Sequence, residues 1–163
     1  MAHPEIQIRR AGHADGSTVI SLVNALADYE KLSRPDRDAC QRLLNDAFGD
    51  HKRIDILLAE LDQRPVGYAI ILETYSSFLA LPTLYLEDIF VLPECRGYGV
   101  GHQLFLYCAE EALRRGCGRM EWMVLDWNEL AHSFYARLGA KRLQEWVPYR
   151  MVRSEIEILL RAR

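Results

Sequence analysis

The sequence predicts a mixed α/β domain with helices on both faces of one sheet. Two observations carry this: a shifting apolar period along the chain, and a glycine-rich turn that joins a strand-like run to the strongest helical pattern. The order of periods reads strand, two helices, three strands, helix, strand, helix, then one or two strands. With 163 residues, the chain has the size of one domain with a substantial core. We therefore expect residues 1–163 to form a single domain, and element order alone leaves its topology open.

Each element has its own signal. Ile6 and Ile8 alternate with polar neighbours as a short strand. Residues 14–29 carry Ile20, Val23, Leu26 and Ala27 at helical spacing, with Asp15 or Ser17 as the cap candidate. Pro35 can open a second helix over 36–47, which Gly49 ends. Residues 54–61 and 66–73 read as strands joined by the turn Asp62-Gln63-Arg64-Pro65. A loop over 74–82 holds Tyr75, Ser76, Ser77 and Phe78, and 83–91 is the central strand. Val100, Leu104, Cys108 and Leu113 mark the apolar stripe of a helix over 99–115, and Gly116 stops it. A strand is expected at 120–125. Asn128 would cap a helix that runs to Leu138 and stops at Gly139. Two further strands are expected at 141–144 and 146–152, followed by a short helix or frayed tail.

Composition narrows the function classes. Half of the residues are hydrophobic and 26% charged, as in ordinary soluble globular proteins. A net charge of −3 gives no basic footprint for nucleic acid and agrees mildly with cationic substrates. Cys40, Cys95, Cys108 and Cys117 form no C-x-x-C pair and no Cys/His metal spacing, so no metal is expected. The first ten residues lack an apolar leader core, and no stretch reaches membrane-spanning length. The expected setting is a reduced cytoplasm.

The segment Arg96-Gly97-Tyr98-Gly99-Val100-Gly101 carries the most information. Alternate glycines let the backbone take positive φ and approach a ligand. The N–H groups that open the next helix, with its dipole behind them, suit an anion, and Arg96 can add a charge-assisted contact. The same glycines also suit any strand-to-helix turn. A dinucleotide fingerprint would require glycine where His102 stands, although Glu121 lies where a ribose-binding acid would. No Walker loop fits, because no Gly-Lys-Ser or Gly-Lys-Thr follows.

The pattern Arg-x-x-Gly-x-Gly after a strand resembles the pyrophosphate loop of the GNAT superfamily of N-acetyltransferases. Three further segments stand in the family's order. They are Leu84-Tyr85-Leu86-Glu87-Asp88-Ile89-Phe90-Val91, Leu125-Asp126-Trp127-Asn128-Glu129 and Phe134-Tyr135-Ala136-Arg137-Leu138-Gly139-Ala140. Together they resemble the diamine (spermidine/spermine) acetyltransferase branch and its thialysine-acetylating relatives, over roughly residues 5–152. The resemblance implies the GNAT fold: a mixed, mostly antiparallel sheet with splayed central parallel strands and helices on both faces. It also implies acetyl-CoA as co-substrate, without a metal, and transfer to a primary amine of a small molecule in a ternary complex. Acetylation of a protein or peptide amine and a non-catalytic acyl-CoA-binding module remain the alternatives.

Acetyl transfer sets three demands. The amine must lose its ammonium proton, the carbonyl oxygen needs a donor as it gains charge, and the departing thiolate benefits from an acid. The resemblance gives the acid to Tyr135, although Phe134-Tyr135 would equally suit an aromatic packing pair. It gives the amine's proton to Glu87, for which a salt bridge is the plainer reading. Adjacent strand residues face opposite ways, so Glu87 and Asp88 are expected on opposite sides of the sheet, with Asp88 structural. Carried over likewise as cofactor contacts are Ile89, Phe90, Val91, Arg96, Gly97, Tyr98, Gly99, Val100, Gly101, His102, Asn128, Ala131 and Tyr135. Tyr29 and Glu30 match an aromatic–acid pair near the substrate, where a ring beside a carboxylate suits an ammonium ion, and Glu121 and Trp122 stand as further lining. Polyamine enzymes carry an Asp and a Trp in the loop that reads Tyr75-Ser76-Ser77-Phe78 here. Without that acid a long polycation loses a partner, and a shorter diamine or a lysine-like amino acid fits better. The branch also implies a homodimer, and the apolar residues Trp146, Val147, Tyr149, Met151, Ile156, Ile158 and Leu159 agree with it.

Overall fold

Alternating side chains in β1 (Ile6–Arg10) set Ile6 and Ile8 against a buried core. The strand pairs antiparallel with β2 (Asp55–Leu61), in which Ile56 to Ala59 are buried without a break. A continuous apolar run of this kind marks a strand covered on both faces. The computed structural model describes residues 4–162, which fall into two compact units divided between Met123 and Val124.

The first unit holds the sheet, in the order β1-β2-β3-β4-β5. A tight turn with Asp62 and Gln63 at φ 50° and 65° links β2 to β3 (Arg64–Ser76). Such paired positive φ values match the right-handed twist of a hairpin. β3 pairs antiparallel with β4 (Leu81–Val91). The loop expected over 74–82 is therefore shorter, because both strands extend into it and Ser76 pairs with Leu81. β5 (Arg119–Glu121) pairs parallel with β4 only through Thr83, Leu84 and Tyr85. Beyond Tyr85, β4 continues to Val91 with no strand partner on that side among the described residues. The expected splay is thus present, and β5 is shorter than 120–125 because its ladder ends there.

α1 (Gly16–Tyr29) and α2 (Arg37–Phe48) cover one face, packing Val19, Leu22 and Ala47 against Ile56, Leu58, Tyr68, Ile70 and Phe90. α3 (Val100–Arg114) covers the other with Val100, Leu104, Cys108 and Ala112 against Leu57, Ala59, Ala69, Ile71, Leu84 and Leu86. Asp36 caps α2 by accepting from Ala39 N at 2.7 Å. Asp15 occupies the N-cap position of α1 without making the capping bond. Its carboxylate is held by both terminal nitrogens of Arg9, each at 2.8 Å, and by Gly12 N. Gly116, at φ 69°, ends α3. Just before it, the buried Glu111 accepts from Arg10, Arg114 and Arg115, and Arg115 also reaches Asp55 at 2.7 Å.

The second unit contains α4 (Glu129–Arg137) and α5 (Arg153–Arg161). The strands expected at 141–144 and 146–152 are absent: this stretch is irregular and exposed. Pro148 lacks a ladder donor, and an extended segment becomes a strand only when a neighbour takes its hydrogen bonds. None of the described residues does so. No described helix is long and apolar enough to cross a membrane, and no group of three His, Cys, Asp or Glu side chains among the described residues is placed to hold a metal.

The Arg9–Asp15 pair gives the fold a definite acid dependence. The guanidinium hydrogen bonds of Arg9 hold the Asp15 carboxyl down at about 2, from an ordinary 3.8. A depressed carboxylate stabilises the folded state above the unfolded value and loses that contribution as pH falls through the folded one. Asp15→Asn is expected to lower stability at pH 7 and to differ progressively less from wild type between pH 4 and pH 2. Urea denaturation at each pH measures it, and an unchanged difference at pH 2 would refute it.

Candidate active site

The glycine-rich turn follows a short 3-10 turn, Pro93–Cys95, at the end of β4. Arg96 is extended, Gly97 lies at φ 86° and Gly99 at φ 89°. A Cβ on Gly97 would meet nothing within 4 Å, and one on Gly99 only Ile6 Cδ1 at 3.9 Å. Glycine stands at both positions for its backbone, since the left-handed region is costly for side chains. Gly99 is the N-cap of α3 and supplies no side-chain acceptor to the first turn. The opening N–H groups of α3 thus point from a flexible-φ turn with no side-chain cap, the arrangement that receives an anion.

Arg96 itself turns elsewhere. Its Nε donates to Val91 O at 2.9 Å, and its guanidinium carbon lies 4.5 Å from the Tyr29 ring centroid and 5.7 Å from that of Phe90. Val91 O is therefore engaged by a side chain of its own loop. Ile89 packs toward the α3 face and Phe90 toward the α1 face.

Glu87 sits at a break in the ladder. Ile70 pairs with Asp88 and Ile71 with Leu86, so Glu87 is the additional residue of a β-bulge. In a regular strand Leu86 and Asp88 would share a face. Here Leu86 packs in the α3-side core, while Asp88 Oδ2 accepts from the hydroxyl of Tyr68 in the α1-side core at 3.0 Å. The opposite-face expectation for Glu87 and Asp88 rests on regular alternation, and it fails because a bulge sets two consecutive residues against one partner. The charge of Glu87 bears on Asp88 and Tyr68, and that of Glu30 bears on both as well.

Three carboxylates thus act on one neighbourhood. Burial pushes the Asp88 carboxyl up to about 6, opposed by the Tyr68 hydrogen bond and assisted by the charges of Glu87 and Glu30. Burial also raises Glu30. The Tyr68 phenol is raised far above its ordinary range, first by burial and then by the Asp88 charge. Tyr85 is raised by burial, then by Glu87 and Glu121. Tyr29 completes the group: its ring centroid lies 6.0 Å from that of Phe90, which in turn meets Tyr68 at 6.4 Å.

The remaining expected lining divides. Glu121 pairs with Arg119 at 2.9 Å, which gives it a structural partner. Trp122 packs edge-on against Phe105 of α3 at 5.4 Å, with the α3-side core, and so lies apart from the Tyr29–Asp88 group. In the second unit Asn128 caps α4, accepting from Ala131 N at 3.2 Å, as the sequence indicates. Tyr135 stands in the last turn of α4, its ring edge-on to Phe134 at 5.2 Å.

Asp88, expected to be structural, has a structural partner in the Tyr68 hydroxyl, and the bulge beside it is what the sequence pattern could have announced. The signal was present: core residues fall on even positions at Leu84 and Leu86 and on odd positions at Ile89 and Val91. Only a bulge between them reconciles one face with both parities.

A family model described as acetyltransferase (GNAT) family matches residues 21–140. The chain is 36% identical over 162 residues to thialysine N-epsilon-acetyltransferase from Bos taurus, covering 94% of this chain and 95% of the relative. It is 31% identical to spermidine/spermine N(1)-acetyltransferase-like protein 1 from Homo sapiens, over 92% of this chain and 23% of that protein. Among solved structures, an aminoglycoside N-acetyltransferase in complex with CoA superposes with a TM-score of 0.76 at 22% identity, covering 92% of this chain and 97% of that one. That likeness concerns the fold, whereas the family match and the identity to the thialysine enzyme concern the chain itself. The glycine turn, the splayed β4–β5 pair and these matches agree: the chain belongs to the acetyltransferase (GNAT) family and is an N-acetyltransferase.

Proposed function

We propose that this enzyme transfers the acetyl group of acetyl-CoA to a primary amine of a small molecule, a diamine or a lysine-like amino acid, by direct transfer in a ternary complex. The observation that carries the acceptor class is the group of Glu30, Glu87 and Asp88 around Tyr68, with Tyr29 next to Glu30 in the chain and reaching Tyr68 through Phe90. Carboxylates and an aromatic face suit an ammonium ion. The relative's name, thialysine N-epsilon-acetyltransferase, supports a lysine-shaped amine. We also propose that residues 1–163 function as one domain, in the cytoplasm.

The residues proposed to hold acetyl-CoA are Ile89, Phe90 and Val91 and the turn Arg96 to His102, each through its backbone, together with Asn128, Ala131 and Tyr135. The uncapped first turn of α3 supports the placing of the pyrophosphate there. Bound acetyl-CoA supplies an activated acyl group, with its sulfur as the leaving atom. Glu87, exposed on its bulge, accepts the ammonium proton directly or through water. Glu30 and Asp88 hold the cation beforehand, and Tyr29 presents its ring to it. Tyr135 donates its phenolic proton as general acid. Holding both partners in near-attack geometry supplies most of the remaining acceleration.

We further propose a homodimer. In the second unit Trp146 and Val147 are each 71% exposed and Tyr149 96%, and Ile156, Ile158, Leu159 and Leu160 of α5 are also exposed. Apolar surface gathered in this way marks association.

A CoA-release assay over diamines, polyamines, amino acids and peptides tests the acceptor. The expected outcome is highest kcat/KM for a short diamine or lysine-like amine; turnover confined to peptides would overturn it. Gly99→Asp places a side chain at φ 89° and a negative charge at the helix start, so acetyl-CoA affinity should weaken by about tenfold or more. Calorimetry measures this, and tight NADH binding with none of acetyl-CoA would sink the reading. Tyr135→Phe is expected to lower kcat by about 10²-fold with cofactor affinity little changed. Glu87→Gln should impair turnover most at low pH, where the amine is fully protonated. Unaltered pH–rate profiles in both variants would leave the two residues as scaffold. Light scattering should give about twice 18.8 kDa; a mass near 18.8 kDa at micromolar concentration would refute the dimer.

A further inference from the structure

Arg96 opens the glycine turn, where a positive side chain invites assignment to the phosphates of the cofactor. Its contacts lead the other way. The side chain folds back on β4, with Nε donating to Val91 O at 2.9 Å. The guanidinium then lies over two rings, 4.5 Å from the centroid of Tyr29 and 5.7 Å from that of Phe90. Tyr29 is the last residue of α1 and Glu30 its C-cap. Phe90 meets Tyr29 at 6.0 Å and Tyr68 at 6.4 Å, and the Tyr68 hydroxyl donates to Asp88 at 3.0 Å. One side chain of the turn therefore fixes the end of α1, with Tyr29 and Glu30, against the end of β4, which leads back to Asp88.

We propose that Arg96 is a positioning residue of the amine site, acting through Tyr29, and that its side chain is not a phosphate ligand. The proposal rests on the reading of Tyr29, Glu30 and Asp88 as the place of the acceptor amine. A planar guanidinium can stack on a ring while one nitrogen donates in its own plane to a carbonyl. Lysine keeps the charge and the reach but cannot do both. The turn's grip on phosphate comes from backbone N–H groups at Gly97 to His102, which a change at residue 96 leaves in place.

The consequence is a separation of the two substrates. In Arg96→Lys and Arg96→Gln the amine KM should rise by about tenfold or more, while the calorimetric Kd for acetyl-CoA stays within about threefold of wild type. Tyr29→Leu removes the ring under the guanidinium and should raise the amine KM similarly. Because the two side chains act as one unit, the double variant should be no worse than the worse single one, which a double-mutant cycle reads directly. A tenfold loss of acetyl-CoA affinity in Arg96→Lys with an unchanged amine KM would make Arg96 a phosphate ligand and overturn the proposal. Additive effects in the cycle would overturn it as well. Thermal melts of each variant separate these outcomes from loss of fold, and Tyr29→Leu leaves the turn intact for comparison. The underlying reading fails differently: Glu30→Gln and Asp88→Asn would then leave the amine KM of the active enzyme unchanged.

Discussion

β4 is held on both sides only where Thr83, Leu84 and Tyr85 also pair with β5. From Leu86 to Val91 no described strand pairs on that side, and the register against β3 slips by one residue at Glu87. Much of the proposed chemistry depends on this short stretch. An open edge in the middle of a sheet leaves backbone groups that require a partner, and an extended ligand with amide groups can provide one. The same slip turns two consecutive acids toward a neighbourhood that regular pleating would have given to only one of them. The end of the β5 ladder at Tyr85 and the register slip at Glu87 thus fall close together on one strand.

The two sheet faces then divide the labour. On the α3 face an aliphatic core, from Leu57 and Ile71 to Val100 and Leu104, seats the helix whose N-terminus opens the glycine turn. On the α1 face the core changes character near β4 and becomes aromatic, with Tyr29, Phe90 and Tyr68 in succession. Aromatic rings allow a core to end in polar contacts without stranding them, because Tyr68 carries its hydroxyl to Asp88 and Tyr29 lies under Arg96. At the opposite end of α3, Arg115 joins Glu111 and Asp55, which fixes the helix against β2.

Legibility in the sequence followed locality. Asn128 and Asp36 cap helices because the bond runs three residues along the chain, and Gly97 and Gly99 declare their φ by being glycine. Asp15 stands at the N-cap position that the sequence indicates, but its carboxylate is taken by Arg9, on a different element, and makes no capping bond. The bulge was written in the parity of Leu84 and Leu86 against Ile89 and Val91, but an even spacing was assumed across Glu87. The contacts of Arg96 with Tyr29, Phe90 and Val91 O tie the turn to other elements, which no local pattern announces. The apolar residues of 141–152 promised strands, yet a strand is a property of two segments, and no described segment pairs with this one.

The acid cluster is costly by itself. Glu30 and Asp88 are both raised by burial, and the charges of Glu87 and Glu30 raise Asp88 further. The Tyr68 hydroxyl offsets part of this at Asp88 by donating to it. A single neutral donor offsets little of this, whereas a bound ammonium ion would bring one opposite charge to the cluster. The Arg96 guanidinium stops short of that role, because its Nε is committed to Val91 O and its plane to two rings. A permanent cation at the acids would complete the electrostatics and block the site. With the arginine committed elsewhere, the acids keep their negative field for the proposed acceptor, whose reacting nitrogen would arrive as ammonium, lose a proton and leave as a neutral amide.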